Sequence, residues 1–133
     1  MQGFSGQQGI KELGREGEDL AASWLRGKGY RILERNYRCR LGEVDLIVDE
    51  GKGSNRKIHF VEVKTRRSTD KVSPRELISH GKQLHISRVA QHYVAAKKLQ
   101  DVNAAFAVLI IDLSGPTPQF EWIEDAFFLA WGY

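Results

Sequence analysis

The sequence predicts an α/β protein in which a mixed β-sheet is flanked by helices in the order α-β-β-β-α-β-β. Two segments carry apolar residues at helical spacing, two neighbouring runs alternate like strands, and one long apolar run suits a strand buried on both faces. A chain of 133 residues fits one domain, spanning 1–133, and we expect residues 1–9 to be flexible.

The first predicted helix covers residues 10–28. Apolar residues recur there at helical spacing, and Gly27 and Gly29 end the run. On a helical projection Glu18 lies at the edge of the apolar stripe beside Leu25. Glu18 is therefore expected to face a cleft.

Three strands are predicted next, at residues 30–38, 43–48 and 58–64. The polar loop 49–57 contains Gly51 and Gly53 and joins the last two strands. These two strands are expected to form a hairpin.

The second half of the chain predicts a long helix at residues 74–99, with Ser73 as its N-cap and proline in its first turn. The run 105–113, rich in valine, isoleucine and leucine, predicts a buried strand, and 119–123 predicts a short one. A last helical turn is expected at 125–130.

Charge is distributed unevenly along the chain. Residues 64–100 hold nine basic and two acidic residues, whereas 101–133 hold five acidic and none basic. A basic segment beside carboxylates suits a polyanion held near a cation, although a solvated helix face has the same composition. The longest apolar run is too short to span a bilayer and Cys39 is the lone cysteine, so we expect a cytoplasmic protein without a membrane partner.

The segment HFVEVKTRR carries the most informative pattern. Alternation places Glu62 and Lys64 on one face of the third strand, and it places Glu43 and Asp45 together on the second strand. Clustered carboxylates repel one another without a cation, so a shared divalent ion explains them. Mg²⁺ takes oxygen ligands, which Asp45, Glu62 and the backbone carbonyl of Val63 would supply.

A surface ion pair is the alternative explanation for a Glu-x-Lys pattern on a strand. It is weakened by Val61 and Val63 on one side of the strand and by Ile58 and Phe60 on the other, which make the strand look central. If the ion is present, Lys64 is in place to orient an attacking water or to stabilise charge on a phosphate.

Four blocks in this order, GREGEDLAASWL, KGYRILERNYR, GEVDLIV and FVEVKTR, resemble the YraN-type family of uncharacterised bacterial proteins. Asp45 followed by Glu62 and Lys64 also resembles the motif of the PD-(D/E)XK nuclease superfamily, and the family is similar to archaeal Holliday-junction resolvases. The resemblance covers about residues 14–128 and implies a restriction-endonuclease-like fold.

The resemblance also implies roles for individual residues. Asp45 and Glu62 match the metal-binding acids, Lys64 the catalytic lysine, and Glu18 the acid that the resolvases place near the metal. Glu43 and Lys82 match positions typical of the YraN-type family, and the resemblance implies that they are accessory residues of the site. The chain departs from the family with Ala105-Phe106-Ala107 where Arg-Phe-Asp is usual, and from the superfamily motif with Val44 in place of proline.

The function implied is that of an endodeoxyribonuclease dependent on Mg²⁺ or Mn²⁺, with DNA, and branched DNA in particular, as partner. The alternative is a nucleic-acid-binding or assembly module that keeps the nuclease fold without turnover. Phosphate contacts are expected from a set of basic residues, namely Arg66, Arg67, Lys71, Arg75, Lys82 and Arg88.

Two further groups of residues have open interpretations. The aromatic residues near the C-terminus suit core packing or a homodimer contact, and they are Phe127, Phe128, Trp131 and Tyr133. The histidines lack the spacing of a zinc site, and those of the second helix are expected to pack along it or to face phosphate; the four are His59, His80, His85 and His92.

Overall fold

Helices and strands follow one another in the predicted order in the computed structural model, which describes residues 6–50, 56–67, 79–99 and 102–124. The helices are α1 (Gly6–Gly27) and α2 (His80–Ala96). The strands are β1 (Arg31–Cys39), β2 (Gly42–Asp49), β3 (Arg56–Arg66), β4 (Val102–Asp112) and β5 (Gln119–Ile123).

The five strands form a single mixed sheet in the order β1-β2-β3-β4-β5. The pairs β1/β2, β2/β3 and β4/β5 are antiparallel, whereas β3 and β4 run parallel, with Arg56 opposite Val102 and Arg66 opposite Asp112. Parallel neighbours require a crossover connection, and α2 lies within it. The predicted α/β fold class, a restriction-endonuclease-like mixed sheet with flanking helices, is confirmed.

Each face of the sheet packs against one helix. On one side Ala21 and Leu25 of α1 contact a buried cluster of strand residues, which are Leu46, Val48, Val61, Ala107, Leu109 and Ile111. On the other side α2 contributes Ile86, Val89, Ala90 and Tyr93 to a cluster with Val44, Ile47, Ile58, Phe60 and Phe106. Burial of both faces explains why β4 reads as a continuous apolar run.

The side-chain alternation of β2 is interrupted at Asp45. Leu46 and Val48 pack on the α1 side and Ile47 on the α2 side, yet Val44 also packs on the α2 side. In a regular strand Val44 would share a face with Leu46. The recorded β2/β3 register ends at the same place, with the pair Leu46 and Val61. Asp45 therefore lies where the strand changes its orientation to the two helices.

Two glycines allow close approach of helices to the sheet. A Cβ on Gly17 of α1 would lie 2.5 Å from Cγ2 of Thr65, so only glycine lets α1 lie this close to β3. Gly42 has a φ of +146°, and a Cβ there would lie 3.3 Å from Cγ2 of Val89 in α2. The two helices are thus held against the part of the sheet that carries Asp45.

The second helix begins later than predicted, at His80. Residues 68–78 lie outside the described residues, and with them Ser73 and Pro74, but Ser79 is extended, with φ −65° and ψ 158°. Its side chain accepts the Lys82 N–H, so Ser79 caps a helix that begins at His80. The predicted continuous helix over 74–99 is therefore wrong, because the extended backbone of Ser79 interrupts it.

Other boundaries differ by a few residues. Helix α1 begins at Gly6, four residues before the predicted start, and β4 begins at Val102 instead of residue 105. The predicted turn at 125–130, the aromatic residues at 127–133 and residues 1–5 lie outside the described residues, as do Lys71 and Arg75. The expectations for them stay predictions.

Candidate functional site

The Glu62 carboxylate lies in β3 with only 7% of its side chain exposed. Its Oε1 is 2.5 Å from Nζ of Lys82, in the first turn of α2, and 3.7 Å from Nζ of Lys64 on its own strand. Sequence alternation placed Glu62 and Lys64 together. The closer ammonium is that of Lys82, which the sequence named as an accessory and phosphate-contacting residue.

The Asp45 carboxylate lies beside Glu62 at the end of the β2/β3 register. Its Oδ2 accepts a hydrogen bond from the Val63 N–H at 2.8 Å. Burial and the negative charge of Glu62 raise the pKa of Asp45 to about 6, and the Val63 N–H and Lys82 offset only part of that effect. The two predicted metal-binding acids thus act on each other electrostatically.

Glu18 of α1 is near enough to Asp45 to act on it electrostatically. Its charge also raises the pKa of Asp45, and its Oε2 accepts a hydrogen bond from Nδ2 of Asn36 at 2.8 Å. Asn36 has a φ of +52°, a left-handed conformation that asparagine tolerates better than most residues. The adjacent residues form a second pair, in which Arg35 of β1 contacts Asp19 of α1. The Asn36–Glu18 and Arg35–Asp19 pairs together hold α1 against β1.

The acids around Asp45 have the chemistry of a site for a hard divalent cation. Negative charge from Glu18 and Glu62 disfavours ionisation of the buried Asp45, and a cation bound there would reverse that effect. Because the N–H and C=O of a strand residue point to the same side, the Val63 carbonyl is expected to point toward Asp45 as well. Carboxylate and carbonyl oxygens are the ligands that Mg²⁺ and Mn²⁺ prefer.

A groove of about 460 Å³ adjoins these acids. It lies between the start of β2 and the first turns of α2, and it is lined by Gly42, Glu43, Ser79, Gly81, Lys82, His85 and Ile86. Glu43 is exposed and pairs with Arg38 at 3.1 Å. Glu62 and Glu18 are the carboxylates whose charge raises the pKa of Asp45. Glu43 lines the groove.

The predicted phosphate-binding residues differ in how free their side chains are. Arg67 is well exposed and lies 3.8 Å from Glu16, and Arg88 lies on the exposed face of α2. Arg66 is half-buried 3.7 Å from Asp112, and its Nε is buried without a hydrogen-bond partner among the described residues. Of these arginines, Arg67 and Arg88 are the better placed to meet a phosphate.

A second group of potential ligands lies near the opposite ends of β2 and β3. Among the described residues, Glu50, His59 and Glu124 are the one group of three whose candidate ligand atoms all lie within 4.8 Å of one another. His59 is fully buried, and its Nε2 lies 2.8 Å from Oε2 of Glu50. This cluster could hold a metal ion. His59 lies in β3, within the predicted strand at residues 58–64.

Comparison with known proteins identifies the family. A model of the uncharacterised protein family UPF0102 matches residues 17–112. The chain belongs to this family. A UPF0102 protein of Syntrophus aciditrophicus is 44% identical over 119 residues, covering 90% of this chain and 91% of that protein. A UPF0102 protein of Geobacter metallireducens is 44% identical over 121 residues, covering 91% and 96%.

The matched region of UPF0102 contains every described residue around Asp45, from Glu18 of α1 to Lys82 of α2. This confirms the membership in an uncharacterised bacterial family that the four sequence blocks predicted. No helix in the described ranges has the length and apolar character needed to cross a membrane.

Sequence reasoning missed two features that the UPF0102 fold assembles. Asn36 was overlooked, although asparagine within a strand pattern is uncommon and was a usable signal. The group at His59 depends on Tyr30, which precedes β1, and on Trp122 and Glu124 at the end of β5, two segments far from His59 in the sequence. The spacing of these residues along the chain therefore does not predict that they form a group.

Proposed function

We propose that this protein is a divalent-metal-dependent endodeoxyribonuclease that hydrolyses DNA phosphodiester bonds, with branched or junction DNA as its preferred substrate. The arrangement of Asp45 and Glu62 supports this best. Asp45 and Glu62 lie on neighbouring strands, each next to a member of the Leu46 and Val61 pair at which the β2/β3 register ends. The charge of Glu62 raises the pKa of Asp45. The preference for junctions rests on the resemblance to resolvases.

Four residues would form the metal site. Asp45 and Glu62, with the Val63 carbonyl, would hold Mg²⁺ or Mn²⁺, and Glu18 would complete the acidic pocket directly or through water. When bound, such an ion acidifies water and stabilises negative charge on a phosphate. The Val63 N–H fixes the orientation of the Asp45 carboxylate through its 2.8 Å hydrogen bond.

Lys64 would act on the reacting groups. Its ammonium lies 3.7 Å from the Glu62 carboxylate and is about one-third exposed, so it can donate a hydrogen bond to an attacking water or to a phosphate oxygen. Arg67 and Arg88 would bind phosphates of the DNA backbone, which orients the duplex without reading its sequence.

The test uses purified protein with four DNA substrates: a four-way junction, a flap, a linear duplex and a single strand. Each is incubated with Mg²⁺, Mn²⁺ or EDTA. We expect cutting only with a divalent ion, and a loss of about 100-fold or more in Lys64→Ala. Lys97→Ala, purified in the same way, is the matched control because Lys97 follows the far end of α2.

Binding without cutting would contradict the proposal. If the unmutated protein binds DNA tightly and in a salt-sensitive way but leaves it intact with both ions, the non-catalytic nucleic-acid-binding module is the correct interpretation. If the control and Lys64→Ala preparations cut equally, the observed activity does not come from this site.

A further inference from the structure

The contact between Lys82 and Glu62 joins helix α2 to strand β3. Lys64 is on the same strand as Glu62, yet the ammonium nearest to Oε1 of Glu62 comes from a different element, α2, at 2.5 Å. Glu62 is almost fully buried, whereas 41% of the Lys82 side chain is exposed. One partner is therefore fixed in the sheet and the other has room to move.

An ammonium and a divalent ion at the same carboxylate oxygen compete, because both are positively charged. Mg²⁺ binds carboxylate oxygens at about 2.0–2.1 Å, and a cation there would lie within a few ångströms of the Lys82 ammonium. Like charges at that separation repel strongly where little solvent intervenes. Binding of the ion at Oε1 of Glu62 is therefore opposed for as long as the Lys82 ammonium stays there.

The adjoining groove offers a position for the withdrawn ammonium. Lys82 lines this groove together with Ser79, Gly81 and His85, at the first turns of α2. The acid in the groove, Glu43, is paired with Arg38, which offsets its charge. A phosphate at this point would meet the Lys82 ammonium as well as the positive end of a 17-residue helix.

We propose that Lys82 competes with the metal for Glu62: its ammonium holds the carboxylate in the metal-free protein and moves into the groove when a divalent ion binds, where it contacts substrate phosphate. The inference rests on the proposed function, because it assumes that Glu62 is a metal ligand. Lys82 would thus couple binding of the ion to binding of DNA.

The first experiment measures metal affinity without DNA. Isothermal titration with Mn²⁺ compares the unmutated protein with Lys82→Met, which keeps the length of the side chain and removes its charge. We expect Lys82→Met to bind Mn²⁺ about tenfold more tightly, because a competing cation is gone. Lys97→Met controls for a general change in protein charge and should bind Mn²⁺ as the unmutated protein does.

The second experiment measures junction binding with Ca²⁺ or with EDTA. We expect Lys82→Met to bind junction DNA several-fold more weakly than the unmutated protein with Ca²⁺, and equally well in EDTA, where Lys82 stays on Glu62. Unchanged or weaker Mn²⁺ binding in Lys82→Met, or an equal loss of DNA affinity in both conditions, would overturn the role of Lys82.

An Asp45→Asn variant separates this inference from the proposed function. If Asp45→Asn loses Mn²⁺ binding while Lys82→Met binds as the unmutated protein does, the metal site stands and only the competition is refuted. If Asp45→Asn binds Mn²⁺ normally, the proposed metal site itself is wrong, and the inference about Lys82 fails with it.

Discussion

At the Asp45 carboxyl, burial and the charge of Glu62 raise the pKa from 3.8 to about 6. Between these values the folded protein keeps a proton that the unfolded chain has lost, so the free energy of unfolding falls as the pH rises through this window. The cost is fully present above pH 6. In EDTA at pH 7.5 we expect Asp45→Asn to be more stable than the unmutated protein, by on the order of 2 kcal/mol.

Urea denaturation at pH 4 and pH 7.5 measures this effect. The two proteins should differ little at pH 4 and diverge at pH 7.5. Glu121→Gln, which removes an exposed carboxyl of β5, is the control and should change stability similarly at both values. An Asp45→Asn variant that is less stable at pH 7.5 would show that the carboxylate is stabilised by its surroundings.

The same substitution should reverse its effect when a divalent ion is added. An ion that binds only the folded state raises the free energy of unfolding, by about 2.7 kcal/mol at a hundred times its Kd. We expect Mn²⁺ to raise the melting temperature of the unmutated protein and to leave that of Asp45→Asn nearly unchanged. Equal shifts in the two proteins would locate the bound ion elsewhere, with Glu50, His59 and Glu124 as the next candidate.

Among the elements, α1 depends on one glycine for its position against β3. A Cβ at residue 17 would lie 2.5 Å from Cγ2 of Thr65, so Gly17→Ala forces the helix and strand apart. Overpacking costs about 1–3 kcal/mol, against about 1 kcal/mol that alanine gains in a helix. We expect a net loss of stability by urea denaturation, and weaker Mn²⁺ binding because Glu18 moves with α1.

The control and the rescue for Gly17→Ala come from the same elements. A Cβ at Gly27, the last residue of α1, meets nothing within 4 Å, so Gly27→Ala should be neutral or slightly stabilising. Thr65→Ser removes the clashing methyl group, and the double variant should recover most of the stability. If it recovers none, the clash is not the cause of the loss.

The elements also show which parts of the site the sequence could predict. Alternation in β3 correctly paired Glu62 with Lys64, because the strand is regular there. Alternation also grouped Glu43 with Asp45, and that grouping stays a prediction, because β2 changes orientation between Val44 and Leu46 and local pattern does not encode that change. The start of α2 was missed because Ser73 and Ser79 are both candidate caps in the sequence, and propensity alone does not rank them.

At the scale of the whole molecule, the acids around Asp45 gather from α1, β2 and β3, and Lys82 joins them from α2. Strand order could be inferred from element order, but the meeting of both helices at Asp45 depends on tertiary packing. The same limit applies to His59, whose ring contacts Tyr30 and Trp122 at centroid distances of 5.5 Å. Ala105 and Ala107 of β4 are buried and lie opposite His59 and Val61 of β3.

Under the proposed function, the distribution of charge over the molecule predicts how binding of DNA would depend on salt. Each phosphate neutralised by a basic side chain contributes about one to the slope of log affinity against log salt concentration. Arg67 is well exposed at the end of β3, three residues after Lys64, and its pairing with Glu16 is long, at 3.8 Å. We therefore expect Arg67→Ala to lower the slope by about one and to weaken binding of junction and linear DNA by the same factor.

Fluorescence anisotropy over a series of salt concentrations, in EDTA to prevent cutting, measures this slope. Arg26→Ala is the control, because Arg26 is equally exposed but lies in the last turn of α1, about two helical turns beyond Glu18. It should leave the slope unchanged, since a duplex centred on Glu62 and Lys64 approaches from the other end of that helix. Equal effects of the two substitutions would mean that DNA is held by overall positive charge, and a selective effect of Arg26→Ala would move the DNA-binding surface away from Asp45.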